Sequence, residues 1–302
     1  MRICVVFNPA AKGDKARRFR QHLADLGPDC VLKPTGCAGD GQRLASEAVE
    51  DGFETVVAAG GDGTVNEVLN GIAGVPGSLA RTRLGILPLG TANVVARELR
   101  LPLDWRRAWR LILEDSEQRV DLVRARFDRA GQPVCRHFVQ VAGAGLDGRA
   151  TELVDWQWKK KVSYFAYIAA GLRALREPQC PITVETDTGS IVGELVLMGN
   201  GRLYGGPFSL FPAANLRDGL LDLRVFAKAN LSLAATMALG LCTGRVGRVG
   251  GSTDLRVATA RLSAPNRVPL QLDGEFVGEL PAEFQVEARG LRVLSRLPPS
   301  AA

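Results

Sequence analysis

The stretch that decides the fold is TVVAAGGDGTVNEVLNG, residues 55–71, where an apolar run ends in a glycine-rich loop and a helical pattern follows. The apolar run predicts a buried strand. The spacing of Val65, Val68, Leu69 and Ile72 predicts a helix that buries one face. Glycines let backbone amides approach a ligand closely, and the start of a helix favours anions. The stretch therefore predicts a phosphate-binding loop between a strand and a helix.

One carboxylate, that of Asp62, lies in the middle of this loop. Thr64 and Glu67 match the T-x-x-E capping box, which predicts that they cap the helix and leave Asp62 outside it. A carboxylate beside a phosphate is repelled unless Mg²⁺ bridges the two groups or the carboxylate accepts a proton. The alternative is a glycine-rich turn in which Asp62 is solvated, and the stretch by itself leaves both open.

Strand and helix patterns alternate up to about residue 120, which is typical of a parallel sheet covered on both faces. Ligands of such sheets bind at the carboxyl ends of the strands. Asn8 and Lys12 follow the first predicted strand, and Thr35 follows the second. Thr91 and Asn93 follow the fourth, although Asn93 fits a helix cap equally well. We therefore expect several polar loops at one edge of the sheet.

Beyond residue 120 the runs alternate apolar and polar residues, as in DLVRARF, ITVETD, IVGELVLMG, LRVATARLSA and FQVEARGLRVL. Such runs predict an antiparallel domain of β-sandwich type, interrupted by helices near 158–176 and 230–242. A chain of 302 residues suits two domains. We place an α/β domain at 1–125 and a β-sandwich domain at 126–302, with the C-terminal tail packing back on the first domain.

Composition narrows the function classes. The formal net charge of +6 is compatible with a nucleotide, a membrane surface or nucleic acid as partner, but no block of like charges suggests a nucleic-acid-binding arm. Six cysteines without a CxxC pair and only two histidines make a zinc site unexpected. The apolar runs are shorter than the ~20 residues of a spanning helix. We expect a cytoplasmic protein with reduced thiols.

The common nucleotide-binding signatures do not account for the loop. The chain contains neither the G-x-x-x-x-G-K-[ST] P-loop nor a protein-kinase catalytic loop. GAGLDG, residues 143–148, fits G-x-G-x-x-G, but it lies among predicted strands rather than in a βαβ unit. We therefore reject a dinucleotide fingerprint at this position.

Four segments occur in order along the chain: GGDGTVNEVLNG, LPLGTANVVAREL, GNGRLYGGPFSLFPAANLRDGLLDL and LDGEF. Together they resemble the bacterial diacylglycerol-kinase-like lipid kinases, which are related to sphingosine and ceramide kinases and more distantly to NAD kinases and phosphofructokinases. The resemblance runs from Asn8 to about Phe276, and the last two segments are more specific to lipid kinases than GGDGT. Many members have Asp where this chain has Val94, so the second loop lacks that carboxylate.

The resemblance implies a fold and a nucleotide site. The family combines an α/β nucleotide domain with a β-sandwich domain and places the active site in the cleft between them. Thr35 and Thr91 would line the nucleotide site, with contributions from Asn8 and Lys12. The ATP phosphates would be held by Gly60, Gly61, Asp62, Gly63, Thr64, Val65 and Asn66.

The resemblance also implies a metal site and a base. Mg²⁺ would be bound by the Asp218 carboxylate and by the backbone carbonyls of Asn215 and Leu220. The alternative for Asp218 is an ordinary Asp-Gly turn. Glu275 would accept the proton of the attacking hydroxyl.

The spacing around Asp273-Gly274 also fits a plain hairpin turn. Asp62 and Asp273 are alternative candidates to Glu275 for the general base or for a metal ligand. We rank Glu275 first as base and assign Asp62 to the ATP–Mg²⁺ contact.

The expected function is therefore an ATP- and Mg²⁺-dependent lipid kinase, with diacylglycerol as the default acceptor and no nucleic-acid partner. The alternatives are a kinase of a soluble acceptor such as NAD and a regulatory protein without turnover. The acceptor lies in a bilayer, so we expect transient contact with the inner face of the membrane. The stretch 156–176, with Trp156, Trp158 and three lysines before an apolar helix, fits that contact. It also fits a packed helix with a solvated lysine end.

Overall fold

The structure is a computed structural model, and it describes residues 2–9, 14–28, 30–154, 163–244, 246 and 249–297. The chain forms two compact units. The first unit contains the residues up to Leu122 together with those from Ala288 onward, and the second contains Val123–Glu287.

The first unit is a parallel sheet with helices. Its strands are β1 (Ile3–Phe7), β2 (Cys30–Pro34), β3 (Thr55–Gly60) and β4 (Arg83–Pro88), in the order β2-β1-β3-β4. Beyond β4, Val293 from the last strand of the chain pairs in parallel with Leu84. Between the strands run α1 (Asp14–Gln21), a 3-10 helix (Leu23–Leu26), α2 (Asp40–Glu50), α3 (Asp62–Gly74), α4 (Ser78–Arg81), α5 (Val94–Glu98) and α6 (Trp105–Leu113).

Burial explains why these residues form these elements. Every residue of β1, β3 and β4 is buried, as expected for strands with helices on both faces. The predicted inner face of α3, formed by Val65, Val68, Leu69 and Ile72, is fully buried. Helix α6 was not predicted. It starts where the Asp104 side chain accepts the backbone N–H of Arg107 at 3.0 Å.

The second unit is built from antiparallel strands. They are β5 (Glu117–Arg129), β6 (Gln132–Phe138), β7 (Val141–Gly145), β8 (Ile182–Thr186), β9 (Gly189–Gly193), β10 (Leu195–Gly199), β11 (Leu203–Tyr204), β12 (Phe208–Ser209), β13 (Leu221–Phe226), β14 (Ser252–Val257), β15 (Thr259–Ser263), β16 (Pro269–Leu272) and β17 (Glu275–Leu294). Its helices are α7 (Leu146–Leu153), α8 (Ser163–Ala174) and α9 (Leu231–Cys242). Strands β5 and β17 each contribute residues to both units.

Two layers of strands enclose one core in this unit. One layer has the order β14-β13-β10-β7-β16, and the other contains β17 with β5 and β6 on one side and β15, β8 and β9 on the other. The core takes inward residues from both layers, including Ala144, Val196 and Leu223 from the first and Val184, Leu262 and Phe284 from the second. The opposite face of the first layer, which includes Leu195, Leu197 and Phe226, packs in a second cluster with Leu146 and Ala174 from α7 and α8.

The second unit differs in several details from the sequence-based expectation; for example, the run IVGELVLMG divides at Glu194 into β9 and β10. Helix α7 was not predicted: the GAGLDG segment lies at the end of β7 and continues into this helix. The run LRVATARLSA is not one strand. It divides at Ala258 into β14, which pairs with β13, and β15, which pairs with β17. The Ala258 carbonyl accepts the Val286 N–H at 2.9 Å, which keeps the chain paired across the division.

Candidate active site

The carboxyl ends of four strands lie side by side in the first unit. Phe7 pairs with both Pro34 and Ala59, and Gly60 pairs with Pro88. Paired strands are about 4.8 Å apart, so the segments that follow these residues lie at one edge. Those segments contain Asn8, Thr35, the Gly60–Asn66 loop and Thr91, as the sequence predicts. Lys12 lies outside the described residues.

Two glycines bring the loops after β3 and β4 into direct contact. A Cβ atom on Gly90 would lie 2.5 Å from the Cα of Gly61, and one on Gly61 would lie 3.3 Å from the Cα of Gly90. The Leu89 N–H also donates to the Gly60 carbonyl at 2.9 Å. A Cβ on Gly60 would lie 2.3 Å from the Thr64 hydroxyl. Close packing therefore accounts for Gly60, Gly61 and Gly90 before any ligand is considered.

The Asp62 carboxylate supports a neighbouring helix. Its Oδ1 accepts the backbone N–H of Val95 at 3.2 Å, at the start of α5. Burial raises the pKa of the Asp62 carboxyl above its usual value, although the backbone N–H groups of Val95, Val94 and Asn93 oppose this by stabilising the charged form. Asp62 is thus a buried carboxylate that accepts backbone hydrogen bonds, and not a solvated loop residue. It is the first residue of α3 and also bonds the start of the next helix along this edge.

The capping-box prediction was wrong. Helix α3 begins at Asp62, so Thr64 lies inside its first turn. The N-cap residue is Gly61, and no side chain caps the start of the helix. Glu67 instead accepts the N–H groups of Gly39 at 2.9 Å and Gly41 at 2.8 Å, at the start of α2. A Cβ on Gly41 would lie 2.5 Å from the Glu67 Oε2, so the bond requires glycine there.

Asn93 holds its own loop closed. Its Oδ1 accepts the Gly90 N–H at 3.0 Å, and its Nδ2 donates to the Gly90 carbonyl at 2.7 Å. It occupies the N-cap position of α5 with a φ of 49°, yet its side chain makes no cap bond. Thr91 in the same loop is exposed, whereas Asn66 is buried and accepts the Asn70 amide at 3.1 Å. The Thr91 side chain is therefore more accessible to a ligand than that of Asn66.

The second set of predicted residues lies in the second unit, at the turn between β16 and β17. Asp273 and Gly274 have φ angles of 48° and 81°, and Leu272 pairs with Glu275, which makes the two-residue hairpin that the spacing predicted. The Asp273 carboxylate accepts three consecutive backbone N–H groups at 3.0–3.2 Å: those of Val139, Gln140 and Val141. This arrangement fixes the turn against the segment before β7.

A buried carboxylate that sequence reasoning missed lies next to this turn. Gln271 accepts the Gly274 N–H at 2.8 Å and donates to the Asp147 Oδ2 at 2.7 Å. The Tyr204 hydroxyl donates to the other oxygen of Asp147. Burial raises the pKa of the Asp147 carboxyl, and the two side-chain hydrogen bonds act against the rise. The network therefore connects the LDGE turn with the NGRLYGG segment.

The rejected GAGLDG motif was the signal for this carboxylate. A Cβ on Gly143 would lie 1.9 Å from the Asp147 Oδ2, and one on Gly148 would lie 2.0 Å from the Pro269 carbonyl oxygen. Gly145 has a φ of 83°, which favours glycine. Each glycine of the motif thus has a packing or backbone reason. The neighbours of β7 are antiparallel, so a dinucleotide-binding unit is not formed.

Three carboxylates compete for the role of base. Asp62 and Asp273 both accept hydrogen bonds from backbone amides, which gives each a positioning role. Glu275 is half-buried at the first position of β17. Its place as first-ranked base stays a prediction.

The turn expected to bind a metal is arranged differently. One oxygen of Asp218 accepts the Leu220 N–H at 3.0 Å, and the other accepts the guanidinium of Arg256. The Asn215 carbonyl, a predicted ligand, accepts the Arg217 N–H at 2.7 Å. Arg256 also pairs with Asp222 at 3.4 Å. Over the ranges that the structure describes, no group of three or more His, Cys, Asp or Glu side chains could hold a metal. The predicted site uses one carboxylate and two backbone carbonyls, so it stays a prediction; in this arrangement the Asp218 carboxylate is engaged by Arg256.

The comparisons with known proteins cover nearly the whole chain. The model of the diacylglycerol kinase catalytic domain matches residues 2–125, and that of the YegS C-terminal NAD kinase beta sandwich-like domain matches residues 140–295. A diacylglycerol kinase of Bacillus subtilis (strain 168) is 32% identical over 296 residues, which cover 93% of this chain and 91% of that protein. The chain belongs to the diacylglycerol kinase and YegS-like lipid kinase family.

One further relative and one solved structure are similar to this chain over nearly its whole length. A Xanthomonas campestris protein named as a YegS-like lipid kinase is 35% identical over 285 residues, which cover 91% of this chain and 89% of that protein. The crystal structure of a diacylglycerol kinase from Bacillus anthracis has a TM-score of 0.77 at 23% identity and covers 99% of this chain and 98% of its own. The predicted fold class, an α/β domain plus a β-sandwich domain, and the predicted enzyme class, a lipid kinase, are confirmed.

Proposed function

We propose that this lipid kinase transfers the γ-phosphoryl group of Mg·ATP to the hydroxyl of a diacylglycerol-like lipid. The observation that carries the proposal is the glycine-rich start of α3 at the carboxyl edge of a parallel sheet, in a chain of this family. The B. subtilis relative is named a diacylglycerol kinase, which supports that lipid as the acceptor.

The start of α3 supplies what a phosphate chain needs. The Val65 N–H donates to the Gly61 carbonyl at 3.0 Å, so helical hydrogen bonding begins there. The N–H groups of Gly63 and Thr64 precede it in the first turn, where helices have no internal partner for them. Together with the helix dipole they favour a bound anion. Asn8, Thr35 and Thr91, which follow the adjacent strands, add polar groups at the same edge.

The reaction needs a base and charge compensation. The lipid oxygen forms a bond to the γ-phosphorus while the bond to the β–γ bridging oxygen breaks, and ADP leaves. Glu275 accepts the proton of the attacking hydroxyl. Mg²⁺ bound with ATP would compensate the phosphate charge. Asp62 bonds the loop after β3 to the start of α5, and its carboxylate would contact the Mg²⁺ of Mg·ATP.

The acceptor is a membrane lipid, so the enzyme works at a bilayer surface. None of the described helices is both long and apolar enough to cross a bilayer. We propose transient contact with the cytoplasmic face of the membrane. Of the stretch 156–176, residues 156–162 lie outside the described residues, and α8 begins at Ser163.

A transfer assay with γ-labelled ATP tests the proposal. The acceptor panel contains diacylglycerol, ceramide, sphingosine, phosphatidylglycerol and NAD, with the lipids in mixed micelles. We expect label on diacylglycerol and none on NAD. Label on NAD alone would overturn the lipid acceptor, and no transfer to any member of the panel would favour a regulatory protein without turnover.

A further inference from the structure

Helix α9 exposes an apolar face that the core does not explain. From Ala229 to Gly244 the sequence contains no charged residue. Leu231 and Leu239 are 65% and 64% exposed, and Ala235 between them is also exposed. Residues four apart lie on one side of a helix, so these three form a single exposed stripe.

The opposite side of α9 packs against the core of the second unit. Leu233 and Met237 lie against the buried cluster that includes Leu195, Val246 and Val249. Gly240 is buried, and a Cβ on it would lie 2.9 Å from the Cα of Val246. Packing therefore accounts for the inner face of the helix but leaves the two exposed leucines without a role in the fold.

Other exposed helix faces of this chain carry charge. In α6 the exposed positions include Arg106, Arg107 and Arg110, while Trp105 and Trp109 are buried. This charged pattern is the ordinary one for a helix that faces water. An uncharged exposed face in the same chain indicates a surface that is covered when the protein works.

The surroundings of α9 point to what covers it. Helix α8 contacts α9 and adds Leu172, which is 46% exposed. Arg173 and Arg176 follow Leu172 and are exposed. Lys228 precedes α9 with a side chain that is 74% exposed and pairs with Glu194 at 2.7 Å. An apolar stripe with exposed cations beside it, chiefly Arg173 and Arg176, matches a bilayer that has anionic head groups.

We propose that the exposed face of α9, formed by Leu231, Ala235 and Leu239, inserts into the interfacial layer of an anionic bilayer. The flanking cations then lie at head-group level. This inference rests on the proposed function only in that a lipid acceptor requires the enzyme to reach a bilayer. A second copy of the chain fits less well, because a two-fold contact through this stripe would face the cationic surroundings of one copy with the same surroundings of the other.

Vesicle binding without ATP tests the proposal on the full chain. The probes are vesicles of phosphatidylcholine alone and vesicles with about 30% phosphatidylglycerol. We expect the wild type to sediment with the anionic vesicles and Leu231→Ser/Leu239→Ser to bind them at least about tenfold more weakly. The matched control is Leu113→Ser/Val192→Ser, which removes apolar groups of similar exposure elsewhere and should bind like the wild type.

Each other outcome overturns the proposal. Equal binding by Leu231→Ser/Leu239→Ser would remove α9 as the docking face, and equal binding to both kinds of vesicle would remove the role of charge. A wild-type dimer that becomes a monomer in the variant would assign the stripe to a second copy. Thermal unfolding confirms that the variants are folded. Because no nucleotide is present, failed phosphoryl transfer with intact vesicle binding counts against the proposed function alone.

Discussion

The Asp62 carboxylate accepts the backbone N–H of Val95 at 3.2 Å, so the loop after β3 is bonded directly to the helix that follows β4. The bond joins two glycine-rich loops that are 33 residues apart in sequence. Asp62 therefore has a structural partner that is independent of any nucleotide.

We expect Asp62→Asn to abolish phosphoryl transfer while the protein stays folded. The amide side chain keeps one oxygen for Val95 but loses the charge that attracts neighbouring N–H groups, so the free energy of unfolding should fall by only about 1 kcal/mol. Labelled-ATP transfer and urea unfolding measure the two effects. Asp25→Asn, which changes a half-exposed aspartate of the same unit, serves as control. Normal turnover in Asp62→Asn would show that its contribution is not catalytic.

Glu275→Gln and Asp273→Asn should fail in different ways. We expect Glu275→Gln to abolish turnover and leave the thermal midpoint near that of the wild type, because it removes a base. Asp273→Asn should also lower the free energy of unfolding, by about 2 kcal/mol, because its carboxylate accepts three backbone N–H groups. The matched control on β17 is Glu283→Gln, which changes an exposed carboxylate. A near-normal kcat in Glu275→Gln would exclude it as the base.

The Asp147 carboxyl should make stability depend on pH. Because burial raises its pKa above the ordinary value of 3.8, the unfolded chain ionises at lower pH than the folded protein. The free energy of unfolding should then fall as pH rises through that window, by at most about 1.4 kcal/mol per pH unit. Asp147→Asn, compared with the wild type in urea at a series of pH values, should flatten this dependence. A difference between the two proteins that does not vary with pH would rule the explanation out.

We predict that the Asp218 turn is stabilised by its ion pair with Arg256 and does not need a metal. We expect Mg²⁺ without nucleotide to leave the thermal midpoint of the wild type unchanged. Arg256→Ala should lower the free energy of unfolding by about 0.5–1 kcal/mol, because the guanidinium is partly exposed and its ion pairs with Asp218 and Asp222 are screened. A Mg²⁺-dependent rise in the wild type that disappears in Asp218→Asn would restore the metal site. Calorimetry measures all three proteins.

The local patterns in the sequence were sufficient to predict the sheet edge. Strand and helix periodicity is local, so the alternation around GGDGT predicted the buried face of α3 and the placement of Asn8, Thr35 and Thr91. The partners of the carboxylates were not predictable in the same way. Glu67 bonds amides 26 and 28 residues away, and Asp273 bonds amides more than 130 residues away. Every residue except proline has a backbone N–H, so the sequence carries no mark of which amides are used.

The glycines show the same difference. The sequence indicated that backbone must come close to something at GGDGT, and a phosphate was the natural candidate. The structure adds that another loop of the same chain is one such neighbour, through Gly61 and Gly90.

That contact has a practical consequence for protein engineering. There is no room for even a single methyl group on Gly90 beside Gly61. A substitution selected to retune one loop for a different nucleotide would therefore displace the other loop as well. Libraries that aim to change the preferred nucleotide should vary residues 60–64 and 90–93 together and keep Gly61 and Gly90, since neither segment can move without displacing the other.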